Sequence, residues 1–176
     1  MDRAIDPDSL AYWSAQLNNG VLREDILWEF LDSPEFRGFC TASEIDAIGP
    51  ESLQLLNVRR FVRRFYKLSL EREGDAEGIA FWQDGLVGGS LSGANLARNF
   101  FLSPEFLNRD LSNDGFVVAL YRTLLAREPD ASGRTFWSDR IDSGVPRSEV
   151  LTGFANSHEF RDLCAQYGIT PFFYRG

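Results

Sequence analysis

Two short blocks of sequence occur three times each, in the same order, along this chain of 176 residues. The first block contains an arginine, an aspartate three residues later and a tryptophan seven residues after the aspartate. Its copies are Arg3, Asp6 and Trp13; Arg72, Asp75 and Trp82; and Arg127, Asp130 and Trp137. The second block begins 20 or 21 residues after each tryptophan, and its copies are Ser33, Glu35 and Phe36; Ser103, Glu105 and Phe106; and Ser157, Glu159 and Phe160. Three copies of both blocks at one register indicate a tandem repeat, which limits the chain to repeat architectures.

The residues around both blocks are typical of short α-helices. In the second and third repeats an apolar run precedes the arginine, and its large residues recur at i, i+4 and i+5, which is a helical spacing. The block aspartates and serines suit helix N-caps, because their short side chains accept hydrogen bonds from free backbone N–H groups. The tryptophan helices are predicted over about 10–18, 79–86 and 134–141, with glycines near their ends. The chain is therefore predicted to be all-α, with tandem repeats of about four short helices packed as one compact body.

The three repeats are assigned to residues 1–53, 54–110 and 111–176. The first repeat is truncated, because the helix that precedes the arginine in the other two has no counterpart before Arg3. The range 1–53 includes an acidic insert after the first repeat, and the range 111–176 includes a C-terminal tail after the third. We expect either that the chain is part of something longer or that another segment completes its first repeat.

The charge of the chain is concentrated in one region. The net charge is −8, and residues 1–53 alone hold 11 acidic and 3 basic residues. An acidic chain is poorly suited to nucleic acid, because phosphate neutralisation requires lysine and arginine. No apolar run reaches the ~18 to 20 residues of a membrane-spanning helix, so no membrane insertion is expected. The first residues lack the basic and then apolar layout of a signal peptide.

Presence in every repeat favours a structural role for the block residues. We expect the tryptophans to pack in the core, with sugar-stacking platforms as the alternative. The arginines are expected to tie a loop to a nearby carboxylate or carbonyl, because a guanidinium group forms a fixed fork of donors. Calcium is disfavoured, because an EF-hand loop needs glutamate at its twelfth position, where this chain has Leu17, Leu86 and Ile141.

Metal and nucleophilic chemistry have few candidate residues. The chain contains one histidine, His158, and two cysteines, Cys40 and Cys164, whereas structural zinc uses four ligands. Both cysteines follow the phenylalanine of the second block by four residues, which predicts equivalent, small, buried positions. A nucleophile formed by Cys164 and His158 remains a further hypothesis. We therefore expect no catalytic residue, no cofactor and no metal, and a chain that is not an enzyme.

Two features are not shared among the repeats, and both are candidates for partner binding. The first is a basic helix that contains Arg59, Arg60, Arg63, Arg64 and Lys67. It is expected either to balance the acidic first repeat or to bind an anion or an acidic partner. The second is the tail, with Phe172, Phe173 and Tyr174, which is expected either to fold back on the core or to join a partner.

Together, the two blocks resemble the repeats of the bacterial domain-of-unknown-function family 4214. The resemblance covers most of the chain, with departures at Ser9, where the other repeats have glycine, and at His158, where they have proline. It implies an all-helical accessory module, without catalytic residues, that occurs in large bacterial proteins. These include hemolysin-type calcium-binding, surface-layer-like and glycosyltransferase-containing proteins. The family is also remotely similar to phycobilisome linker domains.

The predicted function is a non-enzymatic helical-repeat module for interaction or assembly in a larger bacterial surface or secreted protein. Its partner would be another protein or the rest of a longer parent chain. The alternative is a carbohydrate-binding accessory domain of a glycan-processing enzyme such as a glycosyltransferase. The chain itself does not identify a compartment, and the resemblance implies an extracellular or cell-surface location.

Overall fold

Eleven α-helices make up the regular structure of the residues that the computed structural model describes, which are 6–18, 21, 23–31, 33–43 and 50–172. The first repeat contains α1 (Pro7–Asn18), α2 (Arg23–Leu31) and α3 (Pro34–Ala42). The second contains α4 (Pro50–Ser69), α5 (Ala76–Val87), α6 (Gly93–Phe101) and α7 (Pro104–Leu107). The third contains α8 (Asn113–Leu124), α9 (Ala131–Asp142), α10 (Arg147–Ala155) and α11 (His158–Gln166). The predicted all-α repeat fold is confirmed, with four helices in each of the second and third repeats.

The chain divides into two compact units, Met1–Leu53 and Gln54–Gly176. The division falls inside α4. In the second unit, repeats two and three share one core, to which α4 contributes Phe61 and Phe65 and α8 contributes Phe116 and Leu120, all of them buried. Helix α10 packs against α6, α8, α9 and α11. The compact body that the sequence predicts therefore joins at least the two complete repeats.

The serine of the second block begins the last helix of every repeat. The hydroxyl groups of Ser33, Ser103 and Ser157 accept hydrogen bonds from the backbone N–H three residues later, in each case at 3.1 Å. Proline follows the first two serines at the first helical position, where its missing N–H is of little consequence. The predicted serine caps are thus present in all three repeats.

Helices α4 and α8 end in the same way. Glu71 and Ala126 occupy equivalent positions just after these helices and have φ angles of 54° and 56°. The next backbone N–H groups, of Arg72 and Arg127, donate to the carbonyls of Tyr66 and Tyr121, each at 3.4 Å. This left-handed ending satisfies free carbonyl groups at the helix C-terminus and turns the chain towards the tryptophan helix.

The predicted starts of the tryptophan helices were wrong. The tryptophan helices begin directly after their aspartate caps, about three residues earlier than predicted in each repeat. Gly85 lies inside α5 and Gly93 begins α6, so only residues 88–92 separate these two helices. Helix α4 has 20 residues and α7 only four, so the helices of the repeats differ widely in length. Among the described residues, no helix is both long and apolar enough to cross a membrane.

Candidate interaction surface

The block arginine and the block glutamate form a bidentate ion pair in both complete repeats. Arg127 donates to Glu159 from Nε at 2.8 Å and from Nη2 at 3.0 Å, and Arg72 forms the same fork with Glu105. The hydrogen bond from the arginine lowers the pKa of each glutamate. Each pair connects the loop before the tryptophan helix to the last helix of its repeat, which is the tie that the sequence predicts. Arg3 lies outside the described residues.

The block aspartates cap the tryptophan helices. Asp75 and Asp130 accept hydrogen bonds from the N–H groups of Gly78 and Gly133, at 2.7 and 2.8 Å. Asp6 accepts one from the N–H of Ser9, also at 2.8 Å. The N–H of Gly78 is the main cause that lowers the pKa of Asp75. Within the part of the chain that the structure describes, no three His, Cys, Asp or Glu side chains come together as possible metal ligands.

A tyrosine explains the glycine of the first block. A Cβ atom on Gly78 would lie 2.5 Å from the Tyr66 hydroxyl oxygen, and one on Gly133 would overlap the Tyr121 hydroxyl in the same way. The sequence alone explains the aspartate as a helix cap. It does not explain the glycine, because the tyrosine that lies against it belongs to the preceding helix.

The block tryptophans are half-buried and each packs on a phenylalanine of the following helix. The ring centroids are 5.3 Å apart for Trp13 and Phe30, 5.6 Å for Trp82 and Phe100, and 5.3 Å for Trp137 and Phe154. The residue before each tryptophan is also aromatic. These three rings, each more than half exposed, belong to Tyr12, Phe81 and Phe136.

Cys164 and His158 do not form a nucleophile pair. Both lie on α11, where a separation of six residues places them on different faces of the helix. Cys164 is fully buried and His158 is exposed. Burial raises the pKa of the Cys164 thiol to about 12.

We therefore expect iodoacetamide to leave Cys164 unmodified in the folded chain at pH 8. With the pKa near 12, only about one thiol in ten thousand is ionised, and the thiolate is the reactive form. Peptide mass spectrometry after timed labelling measures the extent of reaction. The urea-unfolded chain, in which Cys164 should react fully, is the control. Rapid labelling of the folded chain would instead support the hypothesis of a cysteine enzyme.

The predicted basic surface separates into buried and exposed arginines. Arg64 is 1% exposed, and its guanidinium donates to the carbonyl oxygens of Thr123, at 3.1 Å, and of Arg122. It therefore satisfies carbonyl groups at the C-terminus of α8, and its assignment to a partner-binding surface was wrong. Arg60 is half-buried, donates to Asn57 and lies 5.5 Å from the Tyr167 ring.

The other basic residues of this helix face solvent. Arg59, Arg63 and Lys67 are exposed. The Lys67 Nζ lies 3.9 Å from the Glu73 Oε1. A basic surface on α4 is therefore narrower than the sequence predicted, and its role in binding stays a prediction.

The beginning of the C-terminal tail folds back on the second unit. The carbonyls of Thr170 and Pro171 accept hydrogen bonds from the N–H groups of Gly93 and Ala94, at 2.9 and 2.8 Å, at the start of α6. The Phe172 ring lies 4.8 Å from the Arg161 guanidinium carbon. The predicted tail residues Phe173 and Tyr174 lie outside the described residues.

The first repeat exposes apolar residues whose counterparts are buried in the third repeat. Leu27 on α2 is 56% exposed, whereas its counterpart Leu151 in the third repeat is 3% exposed. Phe39 on α3 is 50% exposed, whereas its counterpart Leu163 is 6% exposed. Phe30 is 36% exposed and lies one helical turn from Leu27, on the same side of α2. We call Leu27, Phe30 and Phe39 the first-repeat face.

A groove of about 480 Å³ is lined by residues of α6 and α10 in the second unit. Its polar lining includes Asn95, Arg98, Glu149 and Thr152. The described residues that line it contain no aromatic side chain, although an aromatic ring is what a sugar would stack on. The first-repeat face is therefore the stronger candidate for an interaction surface.

The sequence of the chain matches a known family in three segments. The domain of unknown function DUF4214 matches residues 1–40, 53–109 and 97–164. The chain belongs to the DUF4214 family. The three DUF4214 segments follow the three repeats, and together they cover the Arg–Glu ties, the aspartate caps and the first-repeat face. No curated protein and no solved structure shows significant similarity to the chain.

Proposed function

We propose that the chain is a non-enzymatic interaction or assembly module of a larger bacterial surface or secreted protein. The observation that carries this proposal is the first-repeat face. Leu27, Phe30 and Phe39 lie at positions where the third repeat buries Leu151, Phe154 and Leu163 in its core. Large apolar residues that are exposed at positions where a complete repeat buries them are typical of surfaces that a partner covers.

The roles of the block residues support a function without catalysis. The arginine, aspartate and glutamate of the complete repeats are engaged in helix caps and in ties between helices. The Cys164 thiol, with its pKa near 12, lacks the thiolate that a nucleophile needs. These structural contacts explain why the residues recur in the repeats, and the explanation requires no substrate.

A photo-crosslinker at position 39 tests the proposal. We expect benzoylphenylalanine in place of Phe39 to form an adduct of discrete mass with another protein in the cells that naturally produce this chain. The same crosslinker at Leu107, which is 55% exposed on the second unit, is the matched control. Adducts detected by denaturing electrophoresis from position 39, and not from position 107, support the module. Equal adducts from both positions, or none from either, would count against it.

The alternative is a carbohydrate-binding accessory domain of a glycan-processing enzyme. It is supported by the exposed rings of Tyr12, Phe81 and Phe136, which lie at one equivalent position in the three repeats. The tryptophans support it less, because each already packs on a phenylalanine of its own repeat. Binding on a glycan array that is lost when Phe81 and Phe136 are both changed to alanine would favour this alternative.

A further inference from the structure

The complete repeats show what normally covers the phenylalanine of the third helix in a repeat. In the third repeat, the ring of Phe154 lies 5.3 Å from that of Trp137 and 5.1 Å from that of Tyr121. The second repeat has the same arrangement, with distances of 5.6 and 4.8 Å for Phe100, Trp82 and Tyr66. The tryptophan comes from the second helix of the repeat, and the tyrosine comes from the first.

The first repeat contains only half of this arrangement. Phe30 lies 5.3 Å from Trp13, its partner from the second helix, and remains 36% exposed. Its counterparts Phe100 and Phe154 are 4% and 3% exposed. Within the described residues, the first repeat consists of α1, α2 and α3, which correspond to the second, third and fourth helices of a complete repeat. In a complete repeat, the first helix covers this phenylalanine. The first-repeat face is therefore exposed where a first helix would pack.

Ser9 restricts the side chain that such a helix can bring. In the complete repeats the tyrosine hydroxyl lies against a glycine, Gly78 or Gly133, where a Cβ atom would overlap it. The first repeat has Ser9 at this position, and the Ser9 hydroxyl donates to Asp6 at 2.7 Å. A tyrosine in the incoming helix would therefore overlap the Ser9 side chain, whereas a phenylalanine, which lacks the hydroxyl, would fit.

The charge of the first repeat indicates which residues the polar face of the incoming helix should carry. Residues 1–53 carry 11 acidic and 3 basic residues. A basic helix would be attracted to this acidic repeat, since opposite charges steer association. Helix α4 illustrates the type, because it combines the apolar residues Phe61 and Phe65 with exposed arginines such as Arg63.

We propose that the first-repeat face binds a basic, amphipathic helix of the α4 type that is not one of α1–α11. This helix completes the repeat, carries basic residues on its polar side and has phenylalanine where α4 has Tyr66. The inference rests on the proposed function and names the kind of partner. A second copy of this chain is a less suitable source, because its own α4 and α8 already lie in its core.

Two labelled peptides test the proposal with the full chain. Both have the sequence of residues 54–71 with an N-terminal fluorescein, and one also carries Tyr66→Phe. We expect the chain to bind the Tyr66→Phe peptide about tenfold more tightly than the unchanged peptide, because overpacking by one group is strongly unfavourable. The Ser9→Gly variant of the chain should reduce this preference to about twofold or less. Fluorescence anisotropy measures each dissociation constant.

Surface variants separate specific docking from charge attraction. Leu27→Asp and Phe39→Asp should each weaken binding of the Tyr66→Phe peptide by more than about tenfold. Leu107→Asp, which adds the same charge to the second unit, should leave binding unchanged. The proposal is overturned if neither peptide binds, if a scrambled peptide binds equally well, or if the preference persists unchanged in Ser9→Gly. It is also overturned if sedimentation shows a dimer that the peptide cannot dissociate.

The outcomes also distinguish this inference from the proposed function. Crosslinking at position 39 without peptide binding would leave the interaction module standing and remove the helix as its partner. Failure of both experiments would remove the interaction module and the inference together.

Discussion

Replacing Arg64 by alanine is expected to lower the free energy of unfolding of the second unit by about 3 to 4 kcal/mol. Arg64 is 1% exposed, and its guanidinium donates to the carbonyls of Thr123 and Arg122. These carbonyls belong to the last turn of α8, where no helical N–H group is available to them. The alanine variant removes their donor and leaves a cavity between α4 and α8, and both changes destabilise the fold.

The neighbouring arginine is the matched control for this prediction. Arg63 lies one residue away on the same helix and is exposed, so Arg63→Ala should change the free energy of unfolding by less than about 0.5 kcal/mol. Urea unfolding followed by circular dichroism measures both variants. Arg64→Lys should fall between them, because an ammonium group cannot reproduce the planar fork of a guanidinium. Equal effects at positions 63 and 64 would contradict the assignment of Arg64 to the core.

Gly133→Ala is expected to lower the free energy of unfolding by about 2 kcal/mol, although alanine is the better helix former. The added Cβ atom would overlap the hydroxyl of Tyr121. Relief of the overlap requires the packed tyrosine or the first turn of α9 to move. Because the same contact exists between Tyr66 and Gly78, a similar loss is expected for Gly78→Ala.

A double-mutant cycle isolates the contact that causes this loss. In a chain that carries Tyr121→Phe, the change Gly133→Ala should be nearly neutral, because the overlapping hydroxyl is gone. Gly153→Ala is the control for helix propensity, since the nearest atom to its added Cβ, on Trp137, is 3.7 Å away. The free energy of unfolding of Gly153→Ala, measured in urea, should be about 0.5 to 1 kcal/mol higher than that of the unchanged chain. Additive effects of the changes at 121 and 133 would show that the hydroxyl is not responsible.

Local contacts in this fold were predictable from the sequence. Ser103 and Asp130 are identified as N-caps because each accepts a hydrogen bond from an N–H only three residues along the chain. The sequence predicts that Arg127 binds a carboxylate or a carbonyl group, because an arginine recurs at this place in each repeat. Its partner Glu159, 32 residues away, was identified only by the structure.

The candidate surface was less predictable, and the basic helix shows the reason. Its arginines looked equivalent in sequence, but Arg63 faces solvent while Arg64 reaches the end of α8. Successive residues on a helix point about 100° apart, so neighbouring side chains meet different surroundings. Whether such a side chain meets solvent or another helix depends on helices that are distant in sequence, as α8 is from α4.

The sequence by itself determined the repeat, its helices and their caps, because these follow from spacing and from hydrogen bonds that close within one helical turn. Only the tertiary structure decided which repeated positions are buried. Leu27 and Leu151 occupy the same place in their repeats, yet they are 56% and 3% exposed. Burial depends on which helices pack over a residue, and within the described residues the first repeat has no counterpart of the helix that begins each complete repeat.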